Sequence, residues 1–155
     1  MTPENERLVR ITIAKMDGWS ITVDEQGVRW LIDGRNRQNR YIAEKGLVAH
    51  GGGQDGKLKH VDCSEETWDW AMAMRLIPDY INHLPTILET LERLNVSWNI
   101  VSRNKHIAIQ VGEIATFMPS HEIHDLSIVL SQLLAMKDPE YATYIADNPG
   151  RCVAG

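Results

Sequence analysis

The chain has 155 residues, 43% of them hydrophobic and 24% charged, with a formal net charge of −5. That is the composition of one soluble globular domain, able to bury roughly 68–70% of its unfolded surface without a disulfide or structural metal. The acidic balance argues against a general DNA-binding protein, although it conceals an asymmetry: residues 1–60 sum to +2 and residues 61–155 to −7.

Two cysteines, Cys63 and Cys152, make neither a disulfide framework nor a CxxC pair, so reduced thiols are expected. No apolar run approaches the roughly 18 residues of a membrane span, and MTPENERLVR is too charged for a signal peptide. A cytoplasmic protein with no membrane partner is expected.

In chain order, Thr2-Pro3-Glu4 opens a helix with an N-cap, a proline at the first helical position and an acid in the first turn. Leu8, Val9, Ile13 and Met16 would share its buried side, and Asp17-Gly18 ends it. Two apolar runs, Trp19 to Val23 and Val28 to Ile32, flank Asp24-Glu25-Gln26-Gly27 and read as a hairpin. From Asp33 to His60 the pattern dissolves into polar and glycine-rich sequence, read as a long loop with at most a short strand or turn.

Ser64-Glu65-Glu66 caps a further helix that ends before Pro78. Leu84, Ile87, Leu88, Leu91 and Leu94 fall on one helical face, with Asn82 as N-cap, Pro85 in the first turn and a stop near Asn95. Val96 to Val101 and His106 to Val111 form a hairpin around Ser102-Arg103-Asn104-Lys105, and Ile114 to Met118 adds a third strand. Ser120 is read as the cap of a last apolar helix containing Ile123, Leu126, Val129, Leu130, Leu133 and Leu134, and the chain from Asp138 as a fraying tail. The sum is an α+β fold of one domain over residues 1–137, with helices on both faces of a small, mostly antiparallel sheet.

Ile77-Pro78-Asp79-Tyr80, Asn82, the amphipathic helix ending Glu92-Arg93-Leu94, the Trp-centred strand and the terminal apolar helix together resemble the phage ABA-sandwich domain family. The segment from Ile11 to Trp19 is similar to the helix-Gly-Trp opening of the same proteins. The resemblance implies an α-β-α sandwich and a phage origin. It implies no reaction, cofactor or catalytic residue.

Three constellations invite chemistry. GGGQDGK, Gly51 to Lys57, matches the start of a phosphate-binding loop, but Leu58 stands where Ser or Thr should bind magnesium, and no helix follows. Arg35, Arg37 and Arg40, with Tyr41 and Trp30, give residues 29–60 a local +4, which with Lys57 suits a nucleotide or short nucleic acid as readily as a solvated charged loop. His121 and His124 at i, i+3 have metal-chelating spacing but no identifiable third ligand, so neither metal nor cofactor is assigned. Of the five tryptophans, Trp19, Trp30 and Trp98 are expected in the core, whereas Trp68 and Trp70, two apart on a helix, cannot both face inward. An exposed tryptophan favours a protein partner or homo-oligomer.

Two functional readings follow. The first is a phage-type accessory protein that acts by binding a host protein, in a process such as antiviral defence. The second is nucleotide or nucleotide-messenger binding on the basic 29–60 segment, or metal-dependent hydrolysis using the histidines.

Overall fold

A computed structural model describes residues 1–43, 47–50, 59, 60, 65–123 and 125–147, with 47–50, 59, 60 and 65 described as backbone. The chain divides into two compact units, residues 1–13 together with 79–155, and residues 14–78. The α+β class expected from the sequence holds. Its strands form two antiparallel sheets flanked by helices.

In the 14–78 unit the sheet order is β4-β3-β2-β1-β5, built from β1 (Ser20–Val23), β2 (Arg29–Ile32), β3 (Asn39–Ile42), β4 (Leu47–His50) and β5 (Lys59–His60). The β1–β2 hairpin closes as its sequence predicts. Asp24 accepts from the backbone N–H groups of Gln26 and Val28, and Gly27 supplies the left-handed residue at φ +80°. Residues 33–60 depart from the expected long loop, because β3, β4 and β5 lie within them. Asn39-Arg40-Tyr41-Ile42 lacks a strong strand signature of its own. What makes it a strand is the ladder on its two sides, Trp30↔Ile42 with β2 and Tyr41↔Val48 with β4. Helix α2 (Glu65–Ala73) buries Trp68 and leaves Trp70 half-exposed, the division its two-residue spacing requires.

The other unit begins with α1 (Pro3–Met16), whose last turn passes into the 14–78 unit. Thr2 caps it, its Oγ1 accepting from Asn5 N–H. Helix α3 (Leu84–Arg93) carries its proline at the second helical position and starts from His83 rather than Asn82. Ile87 and Leu91 are fully buried. After it come β6 (Trp98–Arg103), β7 (His106–Val111) and β8 (Ile114–Pro119) in the order β6-β7-β8. Helix α4 (Leu126–Ala135) packs against α3 and β7, with Val129, Leu130, Leu133 and Leu134 inside.

Two boundaries differ from the sequence reading. Ser120 opens a short 3-10 turn (Ser120–Glu122), and the cap of α4 is Asp125, which accepts from Ser127 N–H at 2.9 Å. Pro139–Asp147, taken from its prolines as part of a tail, forms α5 and buries Tyr141 and Ile145. The Tyr141 hydroxyl donates to Asn5 Oδ1 and accepts from Gln132 Nε2, tying α5 to α1 and α4 through a buried polar bridge.

Three helices end in the same motif, in which one residue adopts a left-handed conformation and the next N–H reaches back five residues. Gly18 does this for α1 (Trp19 N–H to Ala14 C=O), Asn95 for α3 (Val96 to Leu91) and Arg75 for α2 (Leu76 to Ala71).

Candidate functional site

The arginines singled out in the sequence do not form one site. In the β2–β3 ladder Leu31 opposes Tyr41 and Ile32 opposes Arg40, so Trp30 and Arg40 lie on one face and Tyr41 on the other. Arg40 is only 6% exposed and its Nε donates to the Arg37 carbonyl at 3.4 Å. Arg35 sits with its Nε 3.8 Å from Asp33 and its guanidinium 5.9 Å from the centre of the Trp19 ring. The same Asp33 carboxylate accepts the Arg35 and Asn36 backbone N–H groups. Burial, aided by the Asp33 charge and opposed by Arg35, pushes the Tyr41 hydroxyl above its ordinary pKa. Trp30 is spoken for as well: its indole N–H donates to Asp24 Oδ2 at 3.0 Å. Arg37 is exposed. Arg35, Arg40 and Trp30 therefore hold the sheet and its turns in shape.

Lys57 and the Gly51 to Lys57 motif lie outside the described residues, as do Cys63, Cys152, His124 and the Ser64 cap. His121 lies exposed in the 3-10 turn. Among the described residues no group of three or more His, Cys, Asp or Glu is placed to hold a metal ion. No helix among them is long and apolar enough to cross a membrane.

The surface with the most unspent binding chemistry is the sheet β6-β7-β8. Alternation assigns its two faces. Ile107, Ile109 and Val111 of β7, with Met118 of β8, face the helices. The opposite face is ordered by register into three cross-strand rows. Val101, Ala108 and Phe117 make the central row, Arg103, His106 and Pro119 a second, and Asn99, Gln110 and Ala115 the third.

Phe117, the single phenylalanine of the chain, is 69% exposed, and Val101 is 49% exposed. The His106 imidazole stacks on the Phe117 ring, 5.0 Å between centroids with 4° between planes. Its Nδ1 donates to the Asn104 carbonyl at 3.0 Å, which fixes the ring orientation and so the orientation of Phe117. None of the nine residues on this face carries a negative charge, although the chain is acidic overall. The face thus offers an apolar stripe with one rigid aromatic anchor, an arginine on one side and two amides on the other.

Sequence reasoning missed this face because Phe117 is out of phase with Ile114 and Met118 by only a residue, and which phase is buried depends on where α4 packs. Trp98 was missed for a related reason. Expected in the core, it is 43% exposed, since β6 is the edge strand of its sheet and has no neighbour among the described residues to cover the indole. No protein-family model, curated protein or solved structure matches this chain, which leaves its own geometry as the guide to function.

Proposed function

We propose that this protein works by binding another protein, through the face of the β6-β7-β8 sheet that carries Val101, Ala108 and Phe117. The carrying observation is the Phe117 ring, held by His106 yet 69% exposed at the centre of an apolar row. An exposed aromatic flanked by arginine and amide groups is the composition of an interface centre and its rim. Arg103, with no acid on the face, suits a partner surface that is apolar with an acidic border. The resemblance to phage proteins adds that the partner would be a host protein, in a process such as antiviral defence. The basic 29–60 segment is the weaker candidate, because Arg35 and Arg40 are engaged within the fold.

The test is affinity capture from host extract with the wild-type chain and with a Val101→Ser/Phe117→Ser variant of matched circular dichroism. A protein retained by the first and lost from the second supports the reading, and once that protein is in hand Phe117→Ala should weaken binding about 30-fold, the equivalent of 2 kcal/mol. Equal retention by both chains would sink it.

A further inference from the structure

The edge of the same sheet carries a separate inference, which does not depend on what binds its open face. Among the described residues β6 has no neighbour on its outer side, and all six of its residues are exposed or half-exposed. A two-residue turn, Asn104-Lys105, joins β6 to β7, with both residues at positive φ. In such a hairpin the flanking pair, Arg103 and His106, is hydrogen-bonded, so the odd-numbered residues of β6 bond to β7. Trp98, Ile100 and Ser102 therefore direct their N–H and C=O groups to the open edge.

The two ends of β6 differ in charge. Arg103 and Lys105 lie at the turn end. At the other end a groove of about 510 Å³ opens between α3 and the start of β6, floored by Leu88, Leu91 and Trp98 and bearing Glu89 and Glu92. Both carboxylates are exposed, and neither has a side-chain partner among the described residues.

We infer that the β6 edge is a self-complementary dimerisation surface whose occupant is β6 of a second copy, paired antiparallel about Ile100. A two-fold axis through that residue sets Ile100 opposite Ile100 of the second copy, Trp98 opposite Ser102 and Ser97 opposite Arg103. Trp98 meets a small side chain that leaves room for its indole. Lys105, in the turn of each copy, comes alongside the acidic end of the other, and by symmetry the match is made twice, whereas Arg103 projects from the opposite face of the sheet. The three-stranded sheets become one of six strands, and the edge hydrogen-bonding groups of Trp98, Ile100 and Ser102 are satisfied. β8, the other edge, has no charged residue with which to set such a register and ends at Pro119.

Sedimentation equilibrium of the full chain tests this, with a dimer of twice the 17.6 kDa chain mass expected. Ser102→Pro removes an outward N–H without touching the β7 ladder and should yield a monomer with an unchanged circular dichroism spectrum. Lys105→Glu and Glu89→Lys/Glu92→Lys should each raise the dimer dissociation constant about tenfold, and an equimolar mixture of the two should recover the dimer. Three results would each overturn the inference: a monomeric wild type, a dimer as stable in both charge-reversed variants as in the wild type, or a mixture no tighter than its parts.

Discussion

Gly18 and Gly34 lie backbone against backbone. A Cβ added at Gly34 would stand 2.3 Å from the Asp17 carbonyl oxygen, 2.5 Å from the Trp19 nitrogen and 2.6 Å from the Gly18 carbonyl carbon. The turn that ends α1 and the turn that follows β2 are thus in contact with no side chain between them. Real Cβ atoms do not approach backbone so closely, and backbone on both sides has nowhere to yield. Gly34→Ala should therefore destabilise the 14–78 unit by about 3 kcal/mol or more, read from urea unfolding. Gly27→Ala is the control: its Cβ would meet nothing within 4 Å, so only the left-handed φ of +80° penalises it, by about 1–2 kcal/mol. Equal losses at the two positions would contradict the packing account.

Arg75 occupies the left-handed cap position that glycine fills in α1, with φ +57°. A side chain there strains the backbone, and Arg75→Gly relieves it at some cost in unfolded-chain entropy. The expected net effect is a stabilisation of about 0.5–1 kcal/mol. A destabilised variant in thermal or urea unfolding would show that the arginine side chain contributes contacts that outweigh the strain.

Tyr141→Phe deletes the hydroxyl between Asn5 and Gln132, both fully buried. Two buried amides would lose a partner in a site water does not reach, and the loss should be about 1–3 kcal/mol. If the hydroxyl acts through Asn5, Asn5→Leu should cost less in the Tyr141→Phe background than in the wild type. Non-additive unfolding free energies in that double-mutant cycle are the measurement.

Asp24 sits below the ordinary carboxylate range, chiefly because the Trp30 indole N–H donates to it; desolvation opposes this, and the Val28 and Gln26 N–H groups add to it. A carboxyl depressed in the folded state contributes stability at pH values above its unfolded pKa, and that contribution is lost as pH falls through the folded value. Trp30→Phe should move the Asp24 titration up toward the unfolded value and shrink the part of the acid-induced loss that Asp24 causes. Carboxyl chemical shifts followed by NMR report it, and an Asp24 titration identical in the two proteins would refute the assignment.

Local signals made much of this architecture legible. The helix Leu84–Arg93 could be read from its apolar spacing and early proline, the β1–β2 hairpin from Asp24 and Gly27, and the stop after α1 from Gly18. What stayed hidden depends on partners distant in sequence. β3 is a strand because β2 and β4 flank it, and Arg40 is buried because it shares a face with Ile32. Trp98 is exposed because strand order puts β6 at an edge. The candidate site was illegible for the same reason: Val101, Ala108 and Phe117 become neighbours only through a register that no single segment encodes.

The division of the chain into residues 14–78 and the flanking pair 1–13 and 79–155 also orders events during synthesis. The 14–78 unit is continuous, so all its strands and α2 are available once its last residue leaves the ribosome. Asn5, by contrast, stays without its Tyr141 partner until α5 has been made. Residues 1–13 are thus made before residues 14–78 and joined by the rest of their own unit only after them, and a chain stalled before α5 would lack the Tyr141 hydroxyl from which Asn5 Oδ1 accepts.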